Sequence, residues 1–367
     1  MDLRHLKTLT GMVVGLMQAG NISLTAWAPY VHSRAAYAQS TVRRFARWLD
    51  NDRIDVHALY APLIQQALAE WGTQVLALAL DTSTLWNTYC LVRISLVYRG
   101  RAVPLVWKVL DHPSSRVAYN VYKEMLEKVA ELLPLRCHVV FCADRGFADT
   151  HLMAHLARLG WHWRIRIKGS FGIYRDGTRC RKVHRIPLSP GQALFWHHVY
   201  ITKQWYGPVH LALGRPQDSK VYWFVVSDEP TEPKTCEEYG LRFAIEENFL
   251  DDQSNGFQLE SSLLRSAKPL ERLCGVLAIT TLYLVAQGTE VVKQGKRRWV
   301  DAHWFRGQSY LKIGWNWVKL ALSRGYELLP GGHLSPEADP VPTLASKIQP
   351  QKPAERFCAM EFLDAVA

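Results

Sequence analysis

Cysteine is scarce and unpatterned in this 367-residue chain. Its seven cysteines (Cys90, Cys137, Cys142, Cys180, Cys236, Cys274 and Cys358) are odd in number and contain no Cys-x-x-Cys, which argues against a zinc ribbon or a disulfide scaffold and fits reduced thiols in the cytoplasm. Long apolar runs are missing as well. The longest, Leu273 to Gln287, has 15 residues, short of the roughly 18 to 20 that cross a bilayer, so it predicts a buried helix and no membrane partner. The first 30 residues lack the basic start, apolar core and small-residue cleavage site of an export signal, because Asp2, Arg4, His5 and Lys7 interleave with apolar positions. Internal repeats are absent. Acidic residues are in deficit, 33 against 44 Lys+Arg, for a net charge of +11. What is present is a core: 48% hydrophobic and 11% aromatic residues exclude wholesale disorder.

The positive charge is uneven. Residues 160–236 hold 12 Lys+Arg against 5 Asp+Glu and residues 262–330 hold 11 against 4, each a net +7, whereas the first 75 residues net +2. Such clustering is what a polyanion-binding surface requires. Residues 1–72 read as helical: Leu3, Leu6, Leu9, Met12, Val13 and Leu16 recur at helical spacing, as do Val42, Phe45, Trp48 and Leu49. Ser40 is the expected N-cap of the third segment, and Pro62 is expected near the start of the fourth. Arg43, Arg44 and Arg47 share one face of the third segment, which suits either a solvated bundle surface or a helix laid on DNA.

At Gln74 the period changes. Val75 to Leu80 is an apolar run stopping at Asp81, which predicts a buried strand. Tyr89 to Tyr98 and Ala102 to Trp107 flank Arg99-Gly100-Arg101 as a hairpin. A helix over 118–133, a strand over 137–143 stopping at Asp144, a helix over 148–159 and a strand over 161–167 follow. This order of an α/β domain resembles that of ribonuclease H-like folds. Short alternating stretches over 170–230 predict an all-β insertion, and helical periodicity returns over 236–252, 270–286 and 310–323. Residues 329–367 read as a Pro-rich tail, with six prolines between 330 and 367.

Asp81 and Asp144 each end an apolar strand. Either alone can be a turn former; two such tips in one α/β domain can bring both carboxylates into one metal's coordination sphere. Downstream, Tyr239, Arg242 and Glu246 stand at i, i+3 and i+7, which a helix would stack on one face. The Arg242–Glu246 pair alone would equally suit a surface salt bridge.

Together these blocks resemble the DDE transposases of bacterial insertion sequences, specifically the "four"-type group marked by Tyr-x2-Arg-x3-Glu-x6-Lys. The resemblance runs over roughly residues 5–290 and includes Asp81-Thr82-Ser83, Asp144-Arg145-Gly146-Phe147, Arg164-Ile165-Arg166-Ile167-Lys168, the Tyr239/Arg242/Glu246 set and Ser254-Asn255-Gly256-Phe257-Gln258-Leu259-Glu260. The acids are spaced 63 and 102 residues apart, the longer interval holding the β-rich insertion typical of the group. The implied architecture is an N-terminal DNA-binding domain (1–72), a ribonuclease H-like catalytic core in two parts (73–169 and 231–328), the insertion (170–230) and the tail. The implied chemistry is DNA cleavage and strand transfer with two Mg2+ ions, replaceable by Mn2+, held by Asp81, Asp144 and Glu246. The implied partners are the element's inverted repeats and target DNA, with two copies of the chain on the DNA. Arg242 would contact a phosphate near the cleaved end and Tyr239 the adjacent nucleotide. Arg164, Arg166 and Lys168 alternate along a strand and would line the phosphate groove, and Trp196, Trp205 or Trp223 would receive a flipped base or pack in the core. One position departs: where the signature ends in Lys stands Gln253, which donates hydrogen bonds to a phosphate but brings no charge.

Two other readings stay open: a transposase-derived DNA-binding protein whose chemistry has decayed, suggested by Gln253, and a ribonuclease H-like nuclease unconnected to mobile DNA. His151 and His155 have zinc-compatible spacing but neither the intervening Glu nor a third ligand. Lys296, Arg297 and Arg298 form a compact basic run suited to DNA or to a solvated loop.

Overall fold

The computed structural model describes residues 2–175, 178–217, 221–304, 308–339 and 357–363. The chain opens with helices α1 (Leu3–Ala19), α2 (Leu24–Trp27), α3 (Ala38–Leu49) and α4 (Val56–Ala67), which bury Leu16, Trp27, Phe45 and Leu49 against one another. Two local expectations differ. Helix α3 begins at Ala38 behind Tyr37, so Ser40 lies in its first turn. Asp55 caps α4 by accepting the His57 and Ala58 N–H groups, which starts the helix early and leaves Pro62 inside it, where it forgoes one backbone hydrogen bond.

The remaining elements are β1 (Val75–Leu85), β2 (Tyr89–Tyr98), β3 (Arg101–Leu110), α5 (Tyr119–Leu132), β4 (His138–Ala143), α6 (Thr150–Arg158), β5 (His162–Arg166), β6 (Gly172–Arg175), β7 (Thr178–Lys182), β8 (Gln192–Ile201), β9 (Tyr206–Arg215), β10 (Trp223–Ser227), α7 (Pro233–Gly240), α8 (Phe243–Leu250), α9 (Ala267–Lys293), α10 (Tyr310–Arg324) and β11 (Ala359–Leu363). The result is a mixed α/β chain around one large sheet, ordered β3-β2-β1-β4-β5-β10-β9-β8-β6-β7, with β11 on β8. Strands β1, β2 and β3 form an antiparallel meander, and β4 and β5 run parallel to β1. The β2–β3 turn has φ of 48° at Arg99 and 73° at Gly100, the two positive values a tight primed hairpin turn needs.

Strand β1 outlasts its apolar run. Its parallel pairing with β4 stops at Leu80 opposite Ala143, yet Asp81 to Leu85 keep antiparallel partners on β2, so the strand continues. Asp81 therefore marks the end of the parallel pairing, not the end of the strand. The stretch after Leu329 is more than a tail. Phe357, 4% exposed, packs with Phe195, Trp223 and Tyr239, and β11 pairs in parallel with β8. Its ring lies where Gly214 has no side chain; a Cβ there would approach it to 2.6 Å.

Helix α9 holds the assembly together. It is long and apolar enough to cross a membrane by length and composition, but 83% of its apolar window is buried inside the protein. It reaches β3, where Trp107 donates to the Glu271 carbonyl, and the N-terminal helices, where Arg272 donates to the Leu49 carbonyl and to Asp52. Against α10 it passes almost backbone to backbone: a Cβ on Gly288 or Gly314 would collide with the Tyr310 or Leu284 carbonyl oxygen.

Candidate active site

Strand register brings the first two acids together. With Leu80 opposite Ala143, Asp81 and Asp144 are the next residues on neighbouring parallel strands. Such strands lie about 4.8 Å apart, and residues at one level share a face. Ala143 stands opposite Ile165 on β5, so Arg166 comes next in line; its guanidinium lies 4.0 Å from Asp144 and donates to the Tyr222 carbonyl. Burial pushes the Asp81 carboxyl up to about 6, against the pull of Arg242 and the Thr82 N–H, and the negative charges of Glu246 and Asp144 add to the rise.

The third acid arrives on a broken helix. At Leu241 and Arg242 the N–H groups bond to the Glu238 and Tyr239 carbonyls, three residues back, so the chain tightens between α7 and α8 where one continuous helix was expected. Tyr239 ends in α7, Arg242 sits at the joint and Glu246 lies in the first turn of α8. From the joint, Arg242 donates to Asp81 at 2.7 Å and to Glu246 at 2.6 Å while remaining only 3% exposed. The Tyr239 hydroxyl faces Asp144 at 3.5 Å, and burial pushes it up to about 12. Asp81 and Asp144 thus stand side by side where the β1–β4 pairing ends, Glu246 is tied to Asp81 through Arg242, and the half-exposed Glu246 faces solvent.

A support the sequence reading did not find holds α8 there. Arg93, opposite Asp81 on β2 and 1% exposed, donates to Asn248 at 2.7 Å and pairs with Asp252 at 2.7 Å. Arg101 pairs with Asp251 at 2.7 Å. Asp251 and Asp252 open a π-helical turn, Asp251–Asn255, a distortion common near functional sites. Gly256 closes it with its Cβ position 2.4 Å from the Asp251 carbonyl oxygen, where no side chain fits. The available signal was a lone arginine inside an otherwise apolar buried strand.

Other expected contacts fall differently. Arg164 does not line a groove: it is 5% exposed and its guanidinium is engaged by Glu238 and Glu229, each at 2.7 Å. Tyr239 and Arg242 are likewise buried, with their polar groups on the acids. Lys168 is exposed. Gln253 donates to the Ser83 hydroxyl at 2.8 Å. Trp223 is buried against Tyr239, whereas Trp205 is 39% exposed at a turn. Arg44 and Arg47 line a cleft of about 460 Å³ with Arg4 and His5, and Arg43 is exposed beside it. A second cleft, about 550 Å³, is lined by His184, Arg185, Arg215 and Tyr222; Tyr222 joins it to Arg166. His155 is buried on Tyr119 and Glu127, while His151 is exposed on Asp149. Arg297 is spent on Asp301.

These three carboxylates are the hard oxygen donors that Mg2+ prefers, and a guanidinium already spanning two of them marks a position that takes positive charge. A second group, His162, Asp228 and Glu229, has ligand atoms within 4.8 Å of one another. Arg164 already pairs with both of its acids. His162 stands opposite Val140, four residues before Asp144, or about 13 Å along the strand.

The family model for the transposase DDE domain matches residues 84–282; the match begins three residues after Asp81 and contains Asp144 and Glu246. Among solved structures, the chain is similar to a piggyBac transposase in a synaptic complex with hairpin DNA, with a TM-score of 0.42 and 10% identity over 97% of this chain and 80% of that one. Comparison with curated proteins gives no sequence match.

Proposed function

The chain belongs to the family of transposase DDE domains, and from that premise we propose that it is a DNA transposase of the Tyr-x2-Arg-x3-Glu-x6-Lys group, one that binds the inverted repeats of its own element, cleaves there and joins the ends to target DNA. One observation carries the reading: Asp81 and Asp144 are aligned by strand register, and Glu246 is joined to Asp81 through Arg242. The order β3-β2-β1-β4-β5, antiparallel then parallel, supports a ribonuclease H-like core; 170–230, whose strands extend the same sheet from β5, would be its insertion and 1–72 its DNA-binding domain.

Asp81, Asp144 and Glu246 would hold two Mg2+ ions, or Mn2+, which when bound activate the attacking oxygen and stabilise the leaving one. The chain's own residues supply the frame. Tyr239 steadies Asp144, and the Arg93–Asp252 pair fixes α8 and hence Glu246. Arg166 beside Asp144, the exposed Lys168 and the Arg185–Arg215 cleft, joined to Arg166 through Tyr222, would supply positive charge to a DNA strand at the acids. Arg43, Arg44 and Arg47 would seat the element end, with two copies of the chain on the DNA, in the cytoplasm.

Cleavage of end-containing DNA in Mg2+ tests this. Asp81→Asn and Glu246→Gln should each lower the rate by more than about 100-fold, the scale of losing one charged group that acts on the transition state, while end binding in a gel shift persists. Gln253→Lys should cleave at least as fast as the natural protein. Wild-type rates in the two acid variants would refute the assignment.

A further inference from the structure

Arg242 occupies an unusual position for a side chain expected to reach DNA. The two terminal nitrogens of its guanidinium bond separately to Asp81 and Glu246, at 2.7 and 2.6 Å. The rings of Phe243 and Tyr239 lie 4.9 and 5.7 Å from its central carbon, and it is 3% exposed. Among the described residues Asp144 has no such close cation, since Arg166 approaches only to 4.0 Å. The positive charge is thus concentrated between the two acids whose oxygens a metal would also need.

We propose that Arg242 is the resident counter-ion of the metal-free site and that it couples metal loading to DNA binding. The proposal rests on the assignment of Asp81 and Glu246 as metal ligands. A guanidinium and a divalent cation compete for the same two carboxylate oxygens, so loading requires Arg242 to leave. Leaving a buried position is costly unless the guanidinium gains another anion, and a DNA phosphate is such a partner, bound bidentately. By linkage, DNA that attracts Arg242 raises metal affinity, and metal raises DNA affinity by the same factor. Without DNA, Arg242 holds Asp81 and Glu246 together and weakens ion binding there.

Calorimetric titration with Mn2+ tests this on the full chain, with and without a non-cleavable end duplex. Wild type should bind Mn2+ weakly alone and at least about tenfold more tightly with the duplex. Arg242→Gln should bind Mn2+ about tenfold more tightly than wild type without DNA and gain little from the duplex. Equal Mn2+ affinity of wild type and Arg242→Gln without DNA overturns the proposal. Should that variant not fold, the wild type decides: the slowly exchanging Arg242 guanidinium signal in 15N-arginine-labelled protein should move to a new position on adding Mg2+ and duplex together, and an unmoved signal overturns the proposal. Asp81→Asn separates the two ideas, because Mn2+ binding unchanged by that substitution refutes the ligand assignment itself.

Discussion

Arg164 and Arg166 differ by two positions on one strand and have different fates. Arg166 approaches Asp144 at the site, whereas Arg164 is buried between Glu238 and Glu229. Removing one member of a buried ion pair costs about 3 kcal/mol or more. Arg164→Ala should therefore lower unfolding stability by about 3 kcal/mol in a denaturant titration; loss of DNA affinity with unchanged stability would restore it to the groove. Asp81 and Asp144 were legible as candidates because a charge after an apolar run stands out in sequence, and Glu246 because Tyr239 and Arg242 precede it at helical spacing. Arg93 with Asn248 and Arg101 with Asp251 were not, because these pairs join residues 155 and 150 positions apart and only the folded sheet makes them neighbours.

At the scale of elements, continuous apolar runs made the strands readable, and helical periodicity did the same for α1, α5 and α9. The break between α7 and α8 was not readable, since Leu241 and Arg242 keep right-handed helical dihedrals and only their hydrogen-bond pattern changes. Strand β11 was hidden for another reason: its five residues are all exposed, so no buried face imposes a pattern. Helix α4 carries a pH dependence. His57 packs on Trp107 at 4.4 Å, and burial first, then Lys128, pushes its imidazole down to about 4. It stays neutral in the folded protein but takes a proton in the unfolded chain below its ordinary value of 6.5. Its contribution is full above pH 6.5 and is lost as pH falls toward 4. His57→Phe should flatten the fall of the unfolding midpoint between pH 7 and pH 4.5; parallel curves for the two proteins would contradict this. His210, also pushed down to about 4 by burial, leaves part of the slope in place.

Across the whole molecule, the two net +7 stretches are the strands β5 to β10 and the helices α9 and α10, on either side of Glu246 in sequence. Folding spends part of that charge internally, Arg164 on Glu229 and Glu238, Arg272 on Asp52 and Arg297 on Asp301. Arg166 keeps its approach to Asp144, and Lys168, two residues further along, is exposed. The central claim is that metal binds to Asp81, Asp144 and Glu246, where the β1–β4 pairing ends. Replacing Mg2+ with Fe2+ and generating hydroxyl radicals cuts the chain beside the bound ion, and the fragments locate it. The account predicts cuts next to residues 81, 144 and 246 that disappear in Asp81→Asn; cuts next to His162, Asp228 and Glu229 instead would contradict it.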